Sequence, residues 1–182
     1  LSNTLPRSTN TPRTRQSGKQ QKTTAKIDYG SFKSSPKKNL EFKSQLPESE
    51  MTSDITVGNL MMFRYEAKTA QELPYYDKSP LVVMVLEENE VFFGTNIHYY
   101  KPKDRVGIIE YIREIKESGV GDYKGFLFGS AGFHKYLKSN VRSLFLDVAA
   151  SEWEKAALLP AEEFVRNLGG AEISISGRSI YK

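Results

Sequence analysis

Two adjoining stretches decide how this chain folds: Leu-Val-Val-Met-Val-Leu-Glu-Glu at residues 81–88 and Val-Phe-Phe-Gly-Thr-Asn-Ile-His-Tyr-Tyr at residues 91–100. The first is a continuous apolar run of strand length, the pattern of a strand covered on both faces. The second is rich in β-branched and aromatic residues. The polar step Glu87–Glu90 between them reads as the turn of a hairpin. Gly94 inside the second strand predicts a bulge or a close backbone approach.

Outward from this hairpin the chain alternates between strand and helix signals. Residues 55–65 carry β-formers and predict a strand from about Leu60, and residues 66–80 hold two prolines and read as a loop. After the hairpin, Asp104 is placed to cap a helix running to Ser118, with Val106, Ile108, Ile109, Ile112 and Ile115 as its apolar stripe and Gly119 as its stop. Residues 131–139 read as a short helix and residues 141–148 as a third strand. Ser151 with Glu154 has the spacing of a capping box, Pro160 opens a helical turn ending at Gly169, and residues 172–176 alternate as a closing strand. The expected fold class is α+β: a small, mostly antiparallel sheet or an SH3-like barrel with a few helices. Val82, Val83, Val85, Phe92, Phe93, Ile109, Ile112, Leu144 and Leu146 are its expected core.

The N-terminal side has a different composition. Residues 1–26 hold six basic side chains and no acidic one. Residues 1–50 carry ten Lys or Arg against four Asp or Glu, whereas residues 51–182 carry sixteen against eighteen, so the net charge of +4 belongs to this segment. It contains too little apolar surface to offset its ordering entropy alone. Residues 1–53 therefore read as a long extended arm that becomes ordered only in an assembly, ahead of a globular domain at 54–182. Arg7, Arg13, Arg15, Lys19 and Lys22 are its candidates for phosphate contact. Tyr29, Phe32 and Phe42 are its candidate anchors on a partner.

Chemistry is sparsely signalled. The chain has no Cys, which excludes disulfides and thiolate catalysis, and two histidines, His98 and His134, neither with a second ligand at a metal-site spacing. His98 and Asp77 could meet as an acid/base pair, but a hydrogen-bonded structural histidine is the expected role. The glycines of residues 119–129 lack the Lys-Ser/Thr ending of a phosphate loop. No catalytic residue, metal, cofactor or small-molecule substrate is expected. No apolar run reaches the ~20 residues of a membrane span, so no membrane partner is expected either. Tyr75, Tyr76, Tyr99 and Tyr100 cluster with Lys78, Lys101, Lys103 and Arg105; such a group serves as core, as a protein interface, or as a stacking surface for nucleic acid.

Three stretches together resemble a known group. They contain Tyr65-Glu66-Ala67-Lys68, Leu73 to Asp77, Pro80-Leu81-Val82, Phe93 to Tyr99, and Trp153 followed by Leu159-Pro160. This pattern, over about residues 58–164, is similar to virion-associated proteins of T-even-like contractile-tailed phages, a group often labelled DNA end protectors. The chain departs from it at Tyr100-Lys101-Pro102, where an apolar-Pro-Pro turn is expected. The resemblance implies a virion protein assembled in the host cytoplasm, with other virion proteins in a symmetric assembly, and packaged DNA, as partners. The first functional expectation is a non-enzymatic structural subunit of the tail, baseplate or head–tail joint that fastens neighbours through its arm. The alternatives are a protector of packaged DNA ends and a small-barrel nuclease.

Overall fold

The computed structural model describes residues 36–119 and 121–181. Its elements run in the order α1 (Pro36–Gln45), β1 (Glu50–Thr52), β2 (Leu60–Met62), β3 (Tyr76–Asp77), β4 (Leu81–Glu87), β5 (Val91–Asn96), α2 (Pro102–Ser118), α3 (Tyr123–Phe128), β6 (Phe133–Leu137), β7 (Phe145–Asp147), α4 (Trp153–Leu158), β8 (Phe164–Leu168) and β9 (Ala171–Ser174). The class is α+β, as expected. Strands β1-β7-β2-β4-β5-β6 form one sheet in that order and β3-β8-β9 a second. Every strand pair in both sheets is antiparallel. The larger sheet is open, with β1 and β6 at its ends, so the sheet rather than the barrel alternative holds.

The apolar run of β4 is continuous because both faces of the sheet are covered. Leu81, Val83 and Val85 point into one core with Leu60, Met62 and Leu146, closed by Ile109 and Ile112 of α2, Leu127 of α3, and Trp153, Ala156 and Ala157 of α4. Val82 and Met84 point into a second core with Met61, Phe63, Phe92, Tyr136 and Phe145. Phe63 is the centre of that second core, with ring centroids of Phe92 and Tyr136 at 5.3 Å and of Phe145 at 5.1 Å. The single expected core is thus two, and its members divide between them by the two-residue period of a strand. Phe93 and Leu144 are only partly buried.

Both readings of Gly94 hold. The β4–β5 register shifts between Met84 and Leu86, so Val85 is a bulged residue. A Cβ on Gly94 would lie 2.3 Å from Val82 Cγ1 and 2.6 Å from the Val83 carbonyl oxygen. Helix α2 starts one turn ahead of the expected cap: Pro102 occupies its first turn and Lys101 is the N-cap, while Asp104 contributes a negative charge to that turn. Gly119 ends it in the left-handed conformation at φ 65°.

Other expectations are corrected. Residues 133–137 form β6 rather than a helix, because pairing with β5 from Val91↔Leu137 to Thr95↔Phe133 places alternate side chains on opposite faces. The stretch after Pro160 yields β8, which turns through Gly169 and Gly170, at φ 60° and 89°, into β9. The capping box does not form: α4 is led by a 3-10 turn over Ala150–Glu152, and the Ser151 hydroxyl bonds the Glu48 carboxylate instead. The domain boundary also lies earlier than residue 53. Strand β1 pairs with β7, Leu46 is fully buried, and Phe42 packs on the first core. Those apolar residues help to close the domain. The remainder of the proposed arm, residues 1–35, lies outside the described residues.

Gly94→Ala is expected to destabilise the protein by about 2 kcal/mol or more, since backbone as well as side chain must yield. Gly107→Ala, on α2 with open space where the methyl would go, is expected to stabilise it by ~0.5–1 kcal/mol. Denaturant unfolding of the two variants checks both signs.

Candidate functional site

The densest polar chemistry of the domain gathers on Asp77, at the start of the second sheet. Its two carboxylate oxygens take four hydrogen bonds. The backbone N–H groups of Ser79 and Glu163 donate to Oδ1 over 2.9 and 3.0 Å. Asn96 Nδ2 and His98 Nδ1 donate to Oδ2 over 3.0 and 2.7 Å. The side chains of His98 and Asp77 are 0% and 1% exposed. The Asn96 side-chain Oδ1 in turn accepts from the His98 backbone N–H over 3.0 Å, capping the 3-10 turn Ile97–Tyr99 that carries the imidazole toward Asp77.

This network extends through buried Arg105 of α2. Its Nη2 donates to the His98 carbonyl and to Glu162, each over 3.2 Å, and its Nε to the Tyr100 carbonyl over 2.9 Å. Tyr181 closes the chain by donating to Glu162 over 2.7 Å and lying 5.3 Å from the Arg105 guanidinium. A parallel arrangement ties Arg64 to Glu163 at 2.6 Å and to the Ser79 hydroxyl. The sequence pair Asp77/His98 therefore does meet, but as a saturated, sealed hydrogen bond. His98 Nε2 is buried as well.

Burial pushes the Asp77 carboxyl up, but the His98 charge and the hydrogen bonds of His98, Asn96 and the Glu163 backbone outweigh it and hold the group below the ordinary range.

A pocket of about 370 Å³ opens beside this hub. Tyr65, Tyr75, Tyr76, Tyr99, His134 and Tyr136 supply its aromatic walls, and Lys68, Thr69 and Leu73 come from the preceding loop. The alternation of β5 and β6 makes it: Asn96, His134 and Tyr136 fall on the face of the second core, while Phe93 and Lys135 pair on the other face. Tyr99 packs 4.5 Å from His134 and 6.1 Å from Tyr75. Burial raises the Tyr99 and Tyr136 hydroxyls, with the Asp77 charge adding to both, and burial lowers His134. These three aromatic walls are therefore uncharged at neutral pH. Lys68 is exposed. Among the described residues no group of three His, Asp or Glu side chains is placed to hold a metal.

Of the tyrosines singled out in the sequence, Tyr75, Tyr76 and Tyr99 converge on this pocket. Tyr100 does not; it is half-buried, and its carbonyl serves Arg105. Phe42 lies under the first core, away from the pocket. Tyr29, Phe32, Arg7, Arg13, Arg15, Lys19 and Lys22 lie outside the described residues. Sequence reasoning missed Tyr65, His134 and Tyr136, the last two because residues 131–139 read as helical. The five residues Phe-His-Lys-Tyr-Leu do not alternate strictly between apolar and polar, so the local pattern gave no clear strand signal.

The depressed Asp77 carboxyl stabilises the fold above the unfolded value near pH 4, and that contribution is lost as pH falls through the folded value below it. Asp77→Asn is expected to cost about 3 kcal/mol at pH 7 and to flatten the acid limb of the stability curve, measured by urea unfolding from pH 7 to pH 2.

No curated protein and no solved structure matches the chain. A family model does, over residues 13–173, and by that match the chain belongs to the family described as Phage T4 terminal DNA protecting protein.

Proposed function

We propose that this protein binds the ends of packaged phage DNA and shields them. This reading takes the place of the tail, baseplate or neck subunit expected first. The observation that carries it is the family match, which reaches well ahead of the globular domain and takes in Arg13, Arg15, Lys19, Lys22 and Lys26. The charge split supports it, since residues 1–50 carry ten Lys or Arg against four Asp or Glu. A basic segment of this kind neutralises phosphates without regard to sequence, as a protein acting on any DNA end requires. On this reading the protein resides in the virion after assembly in the host cytoplasm.

Protection here is by occupancy rather than by reaction. Support for a non-enzymatic role comes from Asp77 and His98, the acid/base pair that a nuclease reading needs. All four hydrogen bonds to the carboxylate come from protein groups, and the imidazole is sealed.

Linear duplex incubated with the protein is expected to resist exonuclease digestion, and covalently closed circles added as competitor are expected to leave that resistance in place. Digestion at the unprotected rate, or full competition by circles, would overturn the proposal. Replacing Arg13, Arg15, Lys19 and Lys22 together by Gln is expected to reduce the slope of log affinity against log salt by about four. Titrations at three or more salt concentrations read this out.

A further inference from the structure

We infer that the tyrosine-lined pocket beside Asp77 receives one unpaired nucleobase from the end of the DNA. The inference rests on the end-binding reading and says how an end is told from continuous duplex. The basic segment cannot make that distinction, because phosphates look alike along the whole molecule. What an end offers is a base that leaves the stack cheaply: it has one stacking neighbour, whereas an interior base must part from two and from its pairing partner.

The pocket suits such a base in size, shape and charge. Its volume of about 370 Å³ lies at the low end of ordinary ligand sites, enough for one base with its sugar and too little for a base pair with its backbones. Six of its lining side chains are aromatic, which favours stacking on a π face of any sequence. The one carboxylate on its lining, Asp77, already has four donors and offers no free acceptor that would select among bases. Tyr75 is half-buried at the mouth and inclined 37° to Tyr99, so it can stack on an incoming ring at little cost to the core. His134 lines the pocket and packs 4.5 Å from Tyr99. Lys68, exposed on the lining, makes no ion pair with an acidic side chain among the described residues and is placed for the phosphate of the same nucleotide. Its nearest acidic neighbour in sequence, Glu66, is already held by Arg142 at 2.8 Å.

The test uses the full chain and three duplexes: one with a single 2-aminopurine overhang, one with 2-aminopurine paired in the interior, and one closed by hairpins at both ends. The expected result is strong fluorescence quenching of the overhang base only. Tyr75→Ala, and Ala67→Trp, which fills the pocket from its half-buried rim, are each expected to weaken binding of the overhang duplex about tenfold. Both are expected to leave binding of the hairpin-closed duplex unchanged. Lys68→Glu, which disturbs no packing, repeats the measurement should either variant lower the melting temperature. Wild-type protein that protects ends while the overhang base stays unquenched, or variants that bind it undiminished, would overturn the pocket and leave end binding standing. Wild-type protein with no preference for ends would remove both.

Discussion

A buried carboxylate with four donors holds the two sheets of this protein in one arrangement. Asp77 belongs to β3 of the smaller sheet, yet Asn96 and His98, which donate to it, follow from β5 of the larger one. An ionised carboxylate is costly to bury, and the cost is met only while every donor is in place. The strand, the 3-10 turn after β5 and the segment entering β8 must therefore arrive together. Through the His98 carbonyl the same constraint reaches Arg105 on α2, and through Glu162 it reaches Tyr181. Apolar packing on the two faces of the larger sheet supplies the bulk of the stability, but it is the polar hub that sets how the smaller sheet sits on it.

The pocket is a by-product of that arrangement. Tyr76 precedes Asp77 and Tyr99 follows His98, so fixing the hydrogen-bonded pair also fixes two of the aromatic walls. His134 and Tyr136 come from the edge strand β6, placed by their register with β5. A buried structural network thus shapes a surface feature. This division explains how a His/Asp pair of catalytic appearance can occur in a chain whose family description is one of protection.

Much of the fold was legible from local pattern. The β4–β5 hairpin, the close backbone approach at Gly94, the apolar face of α2 and its Gly119 stop each announce themselves within a few residues. The misreadings share a physical cause. Strand β6 has five residues, and its identity is conferred by pairing with β5, distant in the chain, rather than by propensity. The Ser151 and Glu154 spacing is genuine capping chemistry, but Glu48 from before β1 claims the hydroxyl. Half of the candidate site was readable in the same way: Tyr75, Tyr76 and Tyr99 stand out, and Asp77 with His98 was paired from sequence. Of the other half, His134 and Tyr136 depended on knowing that residues 133–137 form a strand paired with β5, and Tyr65 on its bridge to Val141.

The order of strands in the larger sheet bears on how the protein is made. Strand β7 sits between β1 and β2, so Glu50 waits for Asp147 and Met61 for the same residue. A chain emerging from the ribosome in sequence order can close the β4–β5 hairpin early and add β2 to it, while β1 has no neighbour until residues 145–147 appear. Throughout that interval one side of β2 and all of β1 are unpaired edges, the form in which strands of different chains join. Sheet completion is therefore a late event of synthesis, and any product that stops short of β7 carries an open, apolar edge suited to aggregation rather than a smaller working domain.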